Sequence, residues 1–304
     1  MTAPADLVVR GDVHGPDSRS GAVAVRNGRV VRRCDAYEAQ FLTGVETTVL
    51  DADGYTVVPG FVDARVKPAD TVDADQARAH RAGVTAVHVA VGPERAAAFR
   101  TAAAADDLTL DVRLQHPAAA RTALADAGLR TNHGDTVTVG ALVFDADAHQ
   151  IRERAMRAAE AGFQVAIEVP DRDAADRAVS VLSDCRPRRH RIEGAVPHEA
   201  ALDTFEGVVV ADGDAEGLSA PLDSSATLAL AGDAPLETIA DAVDAGLPAK
   251  QAIDAHTRGA AFAGFGKAST CADFAVVSGD PFESPADATV VATISGGELV
   301  YDAR

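Results

Sequence analysis

The chain has 304 residues, 47% of them hydrophobic and 24% charged, which suits one large domain or a large one with a small one, and excludes a disordered chain. Its 46 acidic residues against 28 Lys and Arg give a net charge of -18, and that excludes a general nucleic-acid binder with a basic surface. Most of the acid is aspartate, and lysine occurs only as Lys67, Lys250 and Lys267; a surface of this kind stays hydrated and self-repelling in concentrated salt, so a halophilic cytoplasm is the expected setting.

From the N-terminus, MTAPADLVVRGDV lacks a basic segment followed by a long apolar run, so no signal peptide is expected. No stretch approaches the ~18 apolar residues of a membrane span. Cys34, Cys185 and Cys271 are odd in number and far apart, which argues against a disulfide framework or a zinc ribbon. The first 58 residues read as strands. Residues 21–26 and 29–32 flank Asn27-Gly28, a hairpin signal because both residues tolerate positive φ, and residues 48–50 and 55–58 flank Asp53-Gly54 in the same way. At the far end, 273–277, 289–294 and 298–301 repeat the pattern around Gly296-Gly297. Two strand-rich ends too short to bury separate cores are expected to pair into one small β-domain.

Between them, apolar runs at 58–64, 84–91, 108–114, 137–144, 164–169, 190–192, 208–211 and 227–231 alternate with Ala-rich helical stretches such as 73–81, 95–105, 148–161 and 171–182. Glycines 83, 128, 162 and 246 stand where helix C-caps belong. The pattern predicts an α/β fold, a reduced (β/α)8 TIM-type barrel over 59–265, with a β-domain composed of 1–58 and 266–304. Barrels of this kind carry their chemistry at the C-terminal ends of the strands.

Val57-Val-Pro-Gly-Phe-Val-Asp-Ala64 resembles the first barrel strand of the amidohydrolase superfamily. The run from Ala161 to Ile167, Arg189-His-Arg-Ile-Glu193, Gly232-Asp-Ala-Pro235, the stretch from Ala252 to Ala261 and the closing strands 272–277 and 293–301 resemble its amidohydrolase-3 branch in the same order. The family's large insertion after the first strand is missing. The resemblance implies a hydrolase of carbon–nitrogen bonds other than peptide bonds, with one or two divalent metals such as zinc in the barrel mouth. It implies as ligands a His-x-His pair on strand one, a carboxylated lysine on strand four, histidines on strands five and six, and an aspartate on strand eight.

Mapped residue by residue, those positions hold Arg65 and Lys67, Val143, Glu168, Gly194 and Asp233. Arg65 and Lys67 offer donors and no lone pair, and would repel a cation. Asp233, with Glu168 as a second carboxylate, is too little for a site that wants three protein ligands and a water. No cofactor is therefore expected. Arg65 and Lys67 are expected as barrel-mouth cations replacing the metal, one of them paired directly with Asp233.

Other residues carry less. His88, His190 and His256 are expected in structural roles, His116 as a solvated loop residue, and His133 and His149 at the surface. Asp223-Ser-Ser225 lacks a nucleophile elbow, and Cys185 reads as a helix-end thiol. The Arg186–Arg191 run is expected to pair with surface aspartates. Three readings of function compete. One is a binding or regulatory homologue that has lost metal hydrolysis. Another is a carbon–nitrogen hydrolase with a rebuilt or metal-free site, using Asp233 with Glu168 or His116 as acid and base. The third is a structural partner of an intact amidohydrolase. Expected partners are a small molecule in the barrel mouth and a homo- or hetero-oligomer with an intact relative, with no nucleic acid and no membrane.

Overall fold

A computed structural model of the chain describes residues 3–15, 18–66, 71–266 and 271–304. Fifteen strands among them form two sheets. The N-terminal four are β1 Leu7–His14, β2 Arg19–Arg26, β3 Arg29–Cys34 and β4 Thr48–Pro59. The barrel strands are β5 Phe61–Val66, β6 Val84–Ala90, β7 Asp111–Pro117, β8 Val137–Asp145, β9 Val165–Val169, β10 Arg191–Gly194, β11 Val208–Ala211 and β12 Thr227–Leu230. The last three are β13 Phe274–Ser278, β14 Thr289–Ser295 and β15 Glu298–Asp302.

β5 to β12 run parallel in sequence order, each neighbour paired to the next. This is the nearly closed (β/α)8 barrel that alternating apolar runs and helices require. Helices such as Val72–Arg81, Pro93–Ala104, Ile151–Glu160 and Arg172–Ser183 cover its outside. Their starts follow from local chemistry: the Thr71 and Asp171 side chains accept the backbone N–H groups of Ala74 and Ala174. The main core lies between outward-facing strand residues (Val87, Val112, Leu114, Ile167, Ile192, Val209) and the helices.

The seam between β5 and β12 is bridged by a side chain. Asp63, 3% exposed, accepts the N–H of Gly232 across the seam at 3.1 Å and that of Arg65 at 3.1 Å. Burial pushes its carboxyl above the ordinary aspartate range, although these two donors pull it back. The opposite end of the lumen is stopped by the chain just past helix Ala260–Ala263. There Arg113 donates to Gly264 O and Gln164 to Ala263 O, while the Arg189 guanidinium lies over the rings of Phe262 and Phe265.

The second sheet has the order β15-β14-β13-β4-β1-β2-β3 and is antiparallel except for β1 with β4. Both termini build it, with β4 between the two contributions. One expectation is corrected: residues 48–50 and 55–58 are parts of the single strand β4, and the Asp53-Gly54 stretch between them is where the pairing with β1 slips by several residues. A slip of this kind keeps the chain direction, whereas a hairpin would reverse it. The third barrel strand also lies later than its apolar run, ending at Pro117. No helix among the described residues is long and apolar enough to cross a membrane.

Candidate functional site

Strand ends β5, β9, β10, β11 and β12 bring the residues of interest to the C-terminal mouth of the barrel. Below that mouth the lumen is filled by a charged network. Arg191 and Glu193, two apart on β10, share the inward face. Arg191 Nη2 lies 2.8 Å from Glu193 Oε1 and donates to Ala64 O at 2.5 Å. Its Nη1 donates to His88 Nδ1 at 2.9 Å, and Gln115 Nε2 donates to Glu193 Oε1 at 3.0 Å. β10 is not a sheet neighbour of β5, β6 or β7, so these bonds can only cross the lumen. Each of the four side chains is 1% exposed.

Because His88 accepts from a guanidinium, its ring is neutral. Burial first, then the charges of Arg191 and Arg113, hold its pKa well below the ordinary histidine range. Arg191 is thus not a surface residue paired with surface aspartates, as the Arg186–Arg191 run suggests. It sits opposite a buried carboxylate because an Arg-x-Glu spacing on a barrel strand places both charges inside. His116 is corrected likewise: it is 6% exposed, and burial, with Arg100 nearby, lowers its pKa to about 4.

At the rim, Arg65 Nη2 contacts both carboxylate oxygens of Asp212, at 2.6 and 2.8 Å. Asp212 directly follows β11, so the bridge passes over the end of β12 and ties strand one to strand seven at the rim of the barrel. The partner is Asp212 rather than Asp233. The guanidinium also passes beside Gly194, its Nη1 3.8 Å from where a Cβ would stand. Gly194 has φ +117°, and a Cβ there would lie 2.4 Å from Val169 O. The backbone at the end of β10 therefore demands glycine.

Asp233 is exposed and follows Gly232; its charge, after burial, helps raise the pKa of Asp63. Glu168 is exposed on β9, in register with Glu193 and Asp145, which puts it on the lumen side at the mouth. Val143 is in register with Ala166 on the same side. Lys67 lies outside the described residues. Asp212 and the Arg191–Glu193 pair are the site residues that motif mapping misses; the Arg-x-Glu spacing was the available signal for the pair, and Asp212 had none.

These residues do not fit a divalent metal. Among the described residues the one trio of His, Cys or acidic side chains with donor atoms within 4.8 Å of one another is Asp173, Asp176 and His198. Asp173 and Asp176 stand on helix Arg172–Ser183 in the outer layer and His198 precedes helix Glu199–Leu202, and there Asp176 already holds His198 Nδ1 at 2.8 Å. In the mouth itself a cation would meet Arg65, which has no lone pair to give.

No family model matches the sequence, and no curated protein does. Solved structures do. An uncharacterized metal-dependent hydrolase from Pyrococcus furiosus superposes with a TM-score of 0.78 at 13% identity, over 91% of this chain and 99% of that one. E. coli guanine deaminase gives 0.67 at 14% identity, over 97% and 98%. A putative prolidase from Bifidobacterium longum gives 0.69 at 17%, over 97% and 94%. The chain thus shares the fold of metal-dependent amidohydrolase-superfamily members.

Proposed function

We propose that this chain, built on the amidohydrolase fold, is a binding or regulatory homologue in which a protein ion pair stands in place of the metal centre. The observation that carries the reading is the Arg65–Asp212 bridge at the rim of the barrel mouth, lying beside a glycine at the strand-six ligand position. A guanidinium held at that point supplies fixed positive charge without a Lewis-acid centre or a metal-bound water. The mouth would then receive a small molecule that exchanges hydrogen bonds with Arg65 and the exposed carboxylates of Glu168 and Asp233. No hydrolytic step is routed through it. Three dispersed free cysteines support a cytoplasmic setting.

Metal analysis of protein purified in high salt without chelator tests the reading, joined to assays of N-acyl amino acids, cyclic amides and aryl amides with added zinc, manganese or cobalt. Substoichiometric metal and no turnover above background are expected. Metal-dependent turnover that disappears in Asp233→Ala would overturn it.

A further inference from the structure

On the outer flank of the barrel, at its mouth end, a cleft of about 230 Å³ opens between the segment following β7 and helix Ile151–Glu160. Phe144 and two alanines form its apolar wall, and Arg121, Thr122, Arg154 and Arg157 line the rest. It is separate from the lumen network and from the Arg65 bridge.

The charge in this cleft is not balanced from within the protein. Arg157 is held by Glu153 at 2.6 Å. Among the described residues Arg121 reaches only the Thr122 hydroxyl, at 3.3 Å. Arg154 donates to His149 O at 3.4 Å and lies over the Phe144 ring at 5.5 Å. Neither Arg121 nor Arg154 has a carboxylate partner among the described residues. Some arginines elsewhere are held by a carboxylate, as Arg113 is by Asp111 and Arg304 by Asp302, and others are not; what sets this cleft apart is that three guanidiniums line one hollow with no carboxylate in its lining. In a chain where 46 acidic residues outnumber 28 basic ones, a hollow lined by three arginines and no carboxylate favours an anion from outside.

We infer that this cleft binds a small dianionic oxyanion, the phosphoryl group of free phosphate or of a small phosphate ester. Two uncompensated positive charges match a dianion, and planar guanidiniums grip such oxygens in pairs. The volume lies below the ~300–1,000 Å³ of sites for drug-sized ligands, which favours the group alone or a short ester whose carbon chain lies on Phe144. Thr122 adds a hydroxyl.

Isothermal titration of the full chain in molar potassium chloride, with inorganic phosphate and separately with glycerol phosphate, tests the site. Saturable one-to-one binding is expected, weakened about tenfold in Arg121→Ala and in Arg154→Ala, as loss of a charged hydrogen bond implies. Arg157→Ala should weaken it less, since Glu153 already shares that charge. Arg19→Ala, on the distant β-domain, should leave it unchanged, and melting curves confirm that each variant folds. Tighter binding of glycerol phosphate assigns the ester as the source; equal or weaker binding assigns free phosphate. Absence of saturable binding at millimolar phosphate, or binding that survives in the Arg121→Ala/Arg154→Ala double variant, would overturn the inference.

Discussion

Removing the Glu193 carboxylate would leave Arg191 as a cation in a lumen that solvent does not reach, since both are 1% exposed. Desolvation of an unpaired charge is the dominant cost in such a site, not the lost attraction. Glu193→Ala should therefore lower unfolding stability by about 3–5 kcal/mol. Replacing the pair together, as Arg191→Met with Glu193→Leu, should cost far less, because no stranded charge remains. Urea titration in molar salt distinguishes the two outcomes, and equal losses would show that the pair acts only through its packing. His88 contributes no titration to this network at neutral pH. Its ring already accepts from Arg191, and its pKa is held well below the usual value.

The end of β10 limits what the barrel can hold. Gly194→His, which puts a histidine where the resemblance implies a strand-six ligand, places a side chain at φ +117°, with its Cβ against Val169 O. Strain of this kind costs about 1–3 kcal/mol, so the variant should melt lower and still fail to retain zinc on dialysis. A stable, zinc-loaded Gly194→His protein would show that the mouth accommodates a ligand there after all. The same strand shows how far the sequence could be read. β6, β8, β9, β11 and β12 coincide within a residue or so with apolar runs, because their outward faces pack on helices. β7 does not, since Gln115 and His116 continue the strand past the run as buried polar residues that hydropathy counts as a break. β4 reads as a hairpin in the sequence because Asp53-Gly54 satisfies a turn and a slip in pairing equally well. The resemblance to the amidohydrolase motifs singles out Arg65, Glu168 and Asp233, which stand at or just past the ends of β5, β9 and β12. Asp212 stayed invisible because nothing in the local sequence says which carboxylate of a neighbouring loop an arginine will choose.

Across the whole molecule, the 18 excess negative charges are spread over a surface whose cations are nearly all arginine. Exposed pairs such as Arg65–Asp212 and Arg172–Glu216 offset little of that repulsion. At ~0.1 M salt the Debye length is about 10 Å, so repulsion between neighbouring carboxylates is felt across the surface, whereas molar salt confines it to ~3 Å. The melting temperature should fall steadily as salt is diluted from molar to ~0.1 M. A flat or rising melting temperature would rule out the halophilic reading. The arrangement of the small sheet bears on timing. β4 pairs on one side with β1, and on the other with β13, Val57 against Val276. During synthesis the N-terminal strands emerge with that second edge bare, and it stays bare until the entire barrel has been made. An open strand edge is a template for any passing chain, and contacts this remote in sequence form late. The vulnerable interval in the life of this protein thus lasts until β13, made only after the whole barrel, pairs with that edge.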